Sequence, residues 1–387
     1  MARLHCCLAL LAAWLPAATP PQAIPFEGVL SMPSRLPNGT LVSIHAEGAT
    51  FGDLERERPE MPVYLRTSAD HGRTWSAPKQ VFTYAAGKGV LIHQVYTMVD
   101  RRGGLHAFGV RYYSLPKKED RSQGHSELLH NVSRDGGLTW TPPQRADFGH
   151  GYTGAINSIV ALKSGRILAA LSYTSDHFVE GVGQIEFRSV AFYSDDEGET
   201  WRVAKDDIRV PAGPQVVHPG AIEPVLAELR DGRVWMLIRT QTLRFWECFS
   251  SDNGLTWTVP RATRIWAPDS PGAVTRLRDG RLMMAWNDLA SYPNGVTGHY
   301  RQYLYAALSS DEGKTWSTPR FVGPLEKPDG QGSRGDYPFL CEAADGSVLL
   351  YYTRFGLRSG ASYTRQHNEL VRIDPAWLAE KRGLAEK

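Results

Sequence analysis

An eight-residue pattern, Ser-x-Asp-x-Gly-x-Thr-Trp, occurs five times in this chain and limits its fold more than any other feature. The copies occupy residues 68–75, 133–140, 194–201, 250–257 and 309–316. In each copy the aspartate can accept hydrogen bonds from backbone N–H groups a few residues on, and the glycine supplies a position with positive φ. The tryptophan can fold back as an apolar plug. A self-closing turn that recurs in register indicates a repeat architecture.

A second turn, in which a glycine separates two apolar segments, occurs six times. Its sites are Asn38-Gly39, Gly103-Gly104, Ser164-Gly165, Asp231-Gly232, Asp279-Gly280 and Asp345-Gly346. Such turns are typical of β-hairpins. From this glycine to the next aspartate of the eight-residue pattern is 31 residues in four units and 20 in the fourth. The sequence therefore predicts an all-β fold, a six-bladed β-propeller of four-stranded antiparallel blades, whose last blade lacks the Asp turn.

The N-terminus differs from the rest of the chain. One early positive charge, an apolar run over residues 6–15 and a small-residue exit are typical of a secretory signal peptide. We expect residues 1–23 to be this signal, cleaved after Ala18 or Ala23, and residues 24–387 to form a single propeller domain. The alternative is an apolar strand docked on the propeller. The expected location is secreted or periplasmic, and no other segment is expected to span a membrane.

Composition excludes several classes of function. The net charge of +2 predicts neither a nucleic-acid footprint nor a membrane-binding patch. Cys6 and Cys7 would leave with the signal, and Cys248 and Cys341 are too few for a disulfide scaffold, so we expect two buried thiols. We expect no metal and no cofactor, and the sequence predicts no oligomeric state.

Three segments place charged or hydroxyl groups near the inner strands of the predicted blades. Glu223 interrupts an apolar strand before the fourth hairpin, and Arg239 ends the return strand; they form either a structural ion pair or an anion site beside a carboxylate. Tyr337 precedes the sixth hairpin, where it either packs between blades or serves a site. Arg301 precedes the fifth Asp turn and could equally be a solvated arginine.

With these residues in this order, the chain resembles the sialidase (neuraminidase) superfamily, in particular its divergent bacterial propellers with Asp-box (BNR) repeats. The resemblance covers nearly all of residues 24–387. It implies a glycoside hydrolase that releases terminal sialic acid, or a related acidic sugar, from glycoconjugates. Family members hold the substrate carboxylate with three arginines and use a tyrosine nucleophile, a glutamate that activates it and an aspartate acid/base. Sialidases are thus an exception to the two-carboxylate rule for glycosidases.

The resemblance implies roles for individual residues. Tyr337 matches the nucleophile, Glu223 its activating glutamate, and Arg239 the second arginine of the carboxylate site. Arg301 matches the third arginine. Asp53 falls near the position of the acid/base aspartate, and Glu47 lies close enough in sequence to substitute for it.

The chain departs from the family at the first arginine. That arginine belongs to a Phe/Tyr-Arg-Ile-Pro motif, and here Ser31 takes its place; Arg35 is the nearest arginine, close to the hairpin turn. A further arginine that usually follows Ala-Glu is replaced at Gly48-Ala49. If Arg35 cannot reach the substrate, affinity for a carboxylate should fall by about 1.5–3 kcal/mol, the value of one charge-assisted hydrogen bond. The pattern also fits a glycosidase for a different sugar, acidic or uncharged.

Two other classes of function compete with an enzyme. A non-catalytic glycan-binding propeller would keep the arginines and need no Tyr–Glu pair. A protein-interaction propeller would need neither. The presence of both Tyr337 and Glu223 at family-like positions favours the enzyme, with a glycan or glycoconjugate as its partner.

Overall fold

The structure, a computed structural model, describes residues 18–47, 59–87, 89–113, 126–146, 156–179, 184–211, 219–291, 301–325, 333–357 and 363–380. These residues form six antiparallel four-stranded sheets. Apart from a short 3-10 turn, the helix in these ranges is α1 (Pro375–Ala379). The predicted six-bladed all-β propeller is confirmed.

Each blade runs outward from an inner strand near the channel. Blade 1 contains β2 (Pro33–Arg35), β3 (Leu41–Ala46), β4 (Glu60–Ser68) and β5 (Lys79–Ala85). Blade 2 contains β6 (Val90–Val99), β7 (Leu105–Tyr113), β8 (Ser126–Ser133) and β9 (Gln144–Arg145). Blade 3 contains β10 (Ile159–Ala161), β11 (Ile167–Val179), β12 (Gln184–Ser194) and β13 (Arg202–Ile208). Blade 4 contains β14 (Ile222–Glu228), β15 (Val234–Arg239), β16 (Arg244–Ser250) and β17 (Arg261–Trp266). Blade 5 contains β18 (Ala273–Arg276), β19 (Leu282–Trp286), β20 (Leu304–Ser309) and β21 (Arg320–Gly323). Blade 6 contains β22 (Ser333–Glu342), β23 (Val348–Leu357), β24 (Tyr363–Ile373) and β1 (Gln22–Ala23).

The up-and-down order of the strands gives the ring two distinct faces. The glycine hairpins join first to second strands, and the Asp turns join third to fourth strands, so both kinds of turn lie on one face, here called the lower face. Glu223 near the start of β14 and Arg239 at the end of β15 lie at the opposite end of blade 4. We call that end the upper face.

The five Asp turns share one hydrogen-bond pattern. In the fourth, Ser250 Oγ donates to Asp252 Oδ1 at 2.7 Å, Thr256 N donates to Oδ1 at 2.9 Å, and Thr256 Oγ1 donates to Oδ2 at 2.6 Å. The glycine has the predicted positive φ, 89° at Gly254, and the preceding residue Asn253 is also left-handed at 58°. The aspartate thus replaces the backbone bonds that two successive left-handed residues forgo.

The tryptophans of the five turns occupy equivalent places. Each packs against the apolar cluster between its own blade and the preceding one; they are Trp75, Trp140, Trp201, Trp257 and Trp316. Between blades 5 and 6 this position is taken by Trp377 of α1. The C-terminal helix therefore supplies the plug that the missing sixth Asp turn would have provided.

The N-terminal segment closes the ring. Gln22 and Ala23 pair with Arg372 and Val371 of β24, so β1 is the outer strand of blade 6. Of the leader predicted over residues 1–23, residues 1–17 lie outside the described residues. Cys248 and Cys341 are buried free thiols, as expected. In the part of the chain that the structure describes, no helix is long and apolar enough to cross a membrane.

Candidate active site

Two residues on the inner strands of blades 4 and 6 have the same unusual backbone. Glu223 has φ 46° and Tyr337 has φ 55°, and each lies where the pairing register of its strand shifts. Each is followed by a proline, Pro224 or Pro338, which has no N–H to lose from the ladder. A bulge of this kind turns a side chain away from the sheet surface, at a cost of order 1–3 kcal/mol for each left-handed residue.

These two side chains meet across the channel. The Tyr337 hydroxyl donates to Glu223 Oε1 at 3.2 Å, and Arg239 Nη1 donates to Glu223 Oε2. Glu223 is 3% exposed and Arg239 is 2% exposed. Behind the glutamate, its backbone N–H donates to Ser172 Oγ at 2.5 Å. The tyrosine hydroxyl therefore faces a buried carboxylate whose position is held from two sides.

The charges around Tyr337 control its proton. Burial raises the pKa of Tyr337 to about 12, and the neighbouring carboxylate of Glu223 adds to the rise, while Arg239 and Arg301 oppose it. Burial disfavours the charged Arg239, but Glu223 and Asp269 outweigh it and raise the pKa of Arg239 above its ordinary range. At neutral pH the site thus contains a neutral tyrosine beside a permanent cation.

A second network lies next to the tyrosine. Arg301 Nη1 donates to Asp336 Oδ2 at 3.4 Å, and Arg334 Nη2 approaches the same oxygen at 2.8 Å. The backbone joins as well, since Gly335 N donates to Arg301 O at 3.0 Å. Asp336 has no exposed surface, and burial raises its pKa against the opposing effect of Arg301 and Arg334. These contacts fix Arg301 beside the inner strand that carries Tyr337.

Asp269 connects the two networks. It lies between β17 and β18, where the chain passes from blade 4 to blade 5. Arg239 Nε donates to Asp269 Oδ1 at 2.7 Å, Gln241 Nε2 donates to Oδ2 at 3.4 Å, and Arg301 Nη2 donates to the Asp269 main-chain oxygen. Blades 4, 5 and 6 thus form one continuous polar site on the upper face.

The structure brings four of the six proposed residues together: Glu223, Arg239, Arg301 and Tyr337. Asp53 lies outside the described residues. Its possible substitute Glu47 is described: it directly follows β3 at the upper end of blade 1 and accepts from Tyr64 Oη at 3.2 Å.

Arg35 is not part of this group. It ends β2, paired with Leu41 beside the lower-face hairpin. Its charge acts on Cys341, where it opposes the effect of burial, which raises the pKa of that thiol to about 12. Cys341 lies four residues along β22 from Tyr337, roughly 13 Å in an extended strand. The structure therefore does not place Arg35 where the missing first arginine would stand.

Ser31 lies at the upper end of blade 1, where its hydrogen-bond partners are neutral groups. Its N–H donates to Ser43 Oγ at 2.8 Å, and its hydroxyl donates to Val95 O at 3.5 Å. Ser43 Oγ in turn donates to Ser31 O at 3.1 Å. The position of the family's first arginine is thus occupied by an uncharged side chain bonded to other neutral groups.

Sequence reasoning missed Asp269, Asp336 and Ser172. One signal for the two aspartates was available, because both lie in the segment that enters the inner strand of a blade, as Glu223 does in blade 4. No signal marked Ser172, since a serine within the apolar strand β11 resembles many others. Its role follows from the packing of blade 3 against blade 4.

The fold and the site define a class: a six-bladed propeller of the sialidase type with a Tyr–Glu–Arg cluster at the channel mouth. Comparisons with known proteins agree. The profile of the BNR repeat-like domain matches residues 95–350, so the chain belongs to that family. A curated sialidase of Micromonospora viridifaciens is 28% identical over 332 residues, which cover 76% of this chain and 45% of that protein. The chain therefore spans less than half the length of that relative.

Solved structures show the same fold. A protein of unknown function from Dyadobacter fermentans has a TM-score of 0.64 at 18% identity, covering 92% of this chain and 98% of its own. The NanB sialidase from Streptococcus pneumoniae has a TM-score of 0.64 at 14% identity, covering 90% of this chain and 69% of its own. At these identities the likeness establishes the fold.

Proposed function

We propose that the protein is a retaining glycoside hydrolase of the sialidase type, with Tyr337 as nucleophile and Glu223 as the base that activates it. The observation that carries this proposal is the hydrogen bond from the Tyr337 hydroxyl to Glu223 Oε1 at 3.2 Å. Arg239 holds the other oxygen of that carboxylate. A nucleophile, its base and a group that orients the base form the arrangement expected for covalent catalysis.

In the first step, the Tyr337 oxygen bonds to the anomeric carbon while its proton passes to Glu223. The bond to the leaving oxygen breaks, and Asp53 protonates that oxygen; Glu47 is the alternative acid. In the second step, water attacks the anomeric carbon and gives its proton to the same acid/base residue. The tyrosine oxygen leaves and recovers its proton from Glu223. Both displacements invert the carbon, so the product retains its configuration.

The electrostatics support a tyrosine in this role. With a pKa of about 12, Tyr337 is neutral at rest. A neutral nucleophile can lie close to Glu223 and Asp336 without the repulsion that a third carboxylate would meet. Loss of the proton is coupled to attack, because the base lies within hydrogen-bond reach.

The first substrate class to test is the one that the resemblance implies, a terminal sialic acid or a related acidic sugar held by Arg239 and Arg301. A second candidate is a glycosidase for a different sugar. The uncharged side chain of Ser31 and its neutral hydrogen-bond partners favour it, since family members place an arginine at this position. We further propose, from the apolar N-terminal run, that the protein is secreted or periplasmic.

The test is hydrolysis of fluorogenic glycosides, a sialoside and a set of neutral sugars, by wild type and Tyr337→Phe. Loss of the nucleophile should lower kcat/KM by several orders of magnitude. The matched control is Tyr84→Phe, which removes the hydroxyl of a fully buried tyrosine in blade 1; we expect wild-type rates. Equal rates for wild type and Tyr337→Phe would rule out the nucleophile. A wild type inactive on every glycoside would favour a glycan-binding propeller.

A further inference from the structure

The two arginines expected to bind a substrate carboxylate are already joined through a carboxylate residue of the protein. Arg239 Nε donates to Asp269 Oδ1 at 2.7 Å, and Arg301 Nη2 donates to the main-chain oxygen of the same residue. Asp269 therefore bridges the pair with its side chain on one side and its backbone on the other. A substrate carboxylate that engaged both guanidinium groups would have to compete with Asp269 for them.

Other donors of these arginines are also engaged. Arg239 Nη1 binds Glu223, and Arg301 Nη1 binds Asp336, which also pairs with Arg334. Among the contacts of the described residues, this group joins three guanidinium groups to three carboxyl groups, whose formal charges balance. A site that recognises an anion normally presents a surplus of positive charge to it.

At the Arg239–Asp269 pair exposure points the same way, whereas Arg301 and Arg334 are 16% and 15% exposed beside the fully buried Asp336. The side chain of Arg239 is 3% exposed, whereas that of Asp269 is 22% exposed. A ligand entering beside this pair meets the carboxylate more readily than the guanidinium. Carboxylates accept hydrogen bonds from sugar hydroxyls and repel other carboxylates.

We propose that Asp269 occupies the place of the substrate carboxylate, and that the site takes a terminal sugar that carries no carboxylate and offers hydroxyl groups to Asp269. The proposal rests on the retaining Tyr337 mechanism for its chemistry. It accounts for the neutral side chain of Ser31, because a neutral sugar needs no third cation. It also accounts for the tyrosine nucleophile. Glu223 and Asp269 both bind Arg239 beside it, and these two carboxylates would repel a third carboxylate used as the nucleophile.

The test measures binding without catalysis. Calorimetric titration uses 2-deoxy-2,3-didehydro-N-acetylneuraminic acid, a carboxylate-bearing sugar analogue, with wild type, Asp269→Asn and Asp269→Ala. We expect wild type to show no binding at millimolar concentration. Both substitutions should tighten binding by about tenfold or more, the effect of freeing one charge-assisted hydrogen bond of Arg239. The matched control is Asp279→Asn, which removes an exposed carboxylate from the lower-face hairpin of blade 5 and should behave as wild type.

Tight binding of this analogue by wild type, weakened by Asp269→Asn, would overturn the proposal. Binding of the analogue by wild type at millimolar concentration overturns the proposal whether or not the variants fold. The glycoside rates separate the two claims. Faster hydrolysis of a sialoside than of every neutral glycoside, abolished by Tyr337→Phe, overturns this inference and leaves the mechanism intact. Hydrolysis of neutral glycosides that Tyr337→Phe leaves unchanged overturns the mechanism, and the titration then decides the role of Asp269.

Discussion

Glu223 and Tyr337 show how single residues in strained conformations can build a site. Both are left-handed, both precede a proline, and both interrupt the inner strand of a blade. Without these interruptions their side chains would follow the alternation of the strand. The bulges turn the two side chains toward each other, and the buried bond from Glu223 N to Ser172 Oγ holds one of them in place.

The substitution Ser172→Ala tests whether Ser172 positions the Glu223 base in addition to stabilising the fold. It removes this acceptor of the buried Glu223 N–H, so we expect a loss of about 1–3 kcal/mol in unfolding free energy. We also expect kcat to fall by about tenfold, because the base is less well placed. Ser189→Ala is the control: Ser189 Oγ donates to Ala221 O at 3.1 Å, two residues before Glu223. It should cost similar stability and spare kcat, and equal kcat values in the two variants would contradict the positioning role.

The order of residues in the sequence was sufficient to predict part of the site but not all of it. Glu223, Arg239, Arg301 and Tyr337 follow the order and spacing of a family pattern, so sequence was sufficient to choose them. Asp269 belongs to no such pattern, and its importance depends on contacts with two blades.

The Asp turns are local elements that are stabilised by their own hydrogen bonds. They lie on the lower face, and the hydrogen bonds that each aspartate accepts from its own turn lower its pKa. At Asp252, burial works against ionisation, but the bonds from Thr256 and Ser250 outweigh it and lower the pKa to about 2. Because the folded pKa is below the ordinary value of 3.8, this stabilisation is present above about pH 4 and is lost as pH falls toward 2.

The substitution Asp252→Ala should therefore lower the stability of the fold and leave glycoside hydrolysis unchanged. By analogy with lost helix caps, we expect a loss of about 0.5–2 kcal/mol at neutral pH. The difference from wild type should shrink toward pH 2, when both are followed by denaturant unfolding. Ser251→Ala, an exposed neighbour, should be neutral. A loss of hydrolysis at unchanged melting temperature would contradict the lower-face placement.

At the scale of the whole molecule, the site depends on closure of the ring. Tyr337 and Glu223 are 114 residues apart in sequence and come together only when blades 4, 5 and 6 stand side by side. Closure itself uses both ends of the chain, since β1 pairs with β24. Of the two predicted cleavage positions, only cleavage after Ala18 leaves β1 in place.

Sequence predicted the number of blades because turns recur at a fixed spacing, and spacing needs no tertiary information. It did not predict that Trp377 would fill the place of the sixth turn's tryptophan, because that helix shares no motif with the turns it replaces.

The central claim is that Tyr337 forms a covalent bond to the sugar, and mass spectrometry of the stalled intermediate tests it most directly. The protein is treated with 2-deoxy-2-fluoroglycosyl fluorides of neutral sugars and, in parallel, with 2,3-difluorosialic acid, then digested and mapped. We predict one glycosyl group on the peptide that contains Tyr337, from a neutral probe, and none in Tyr337→Phe. A label on any other side chain, or unlabelled protein under conditions in which it hydrolyses the parent glycoside, would contradict the account.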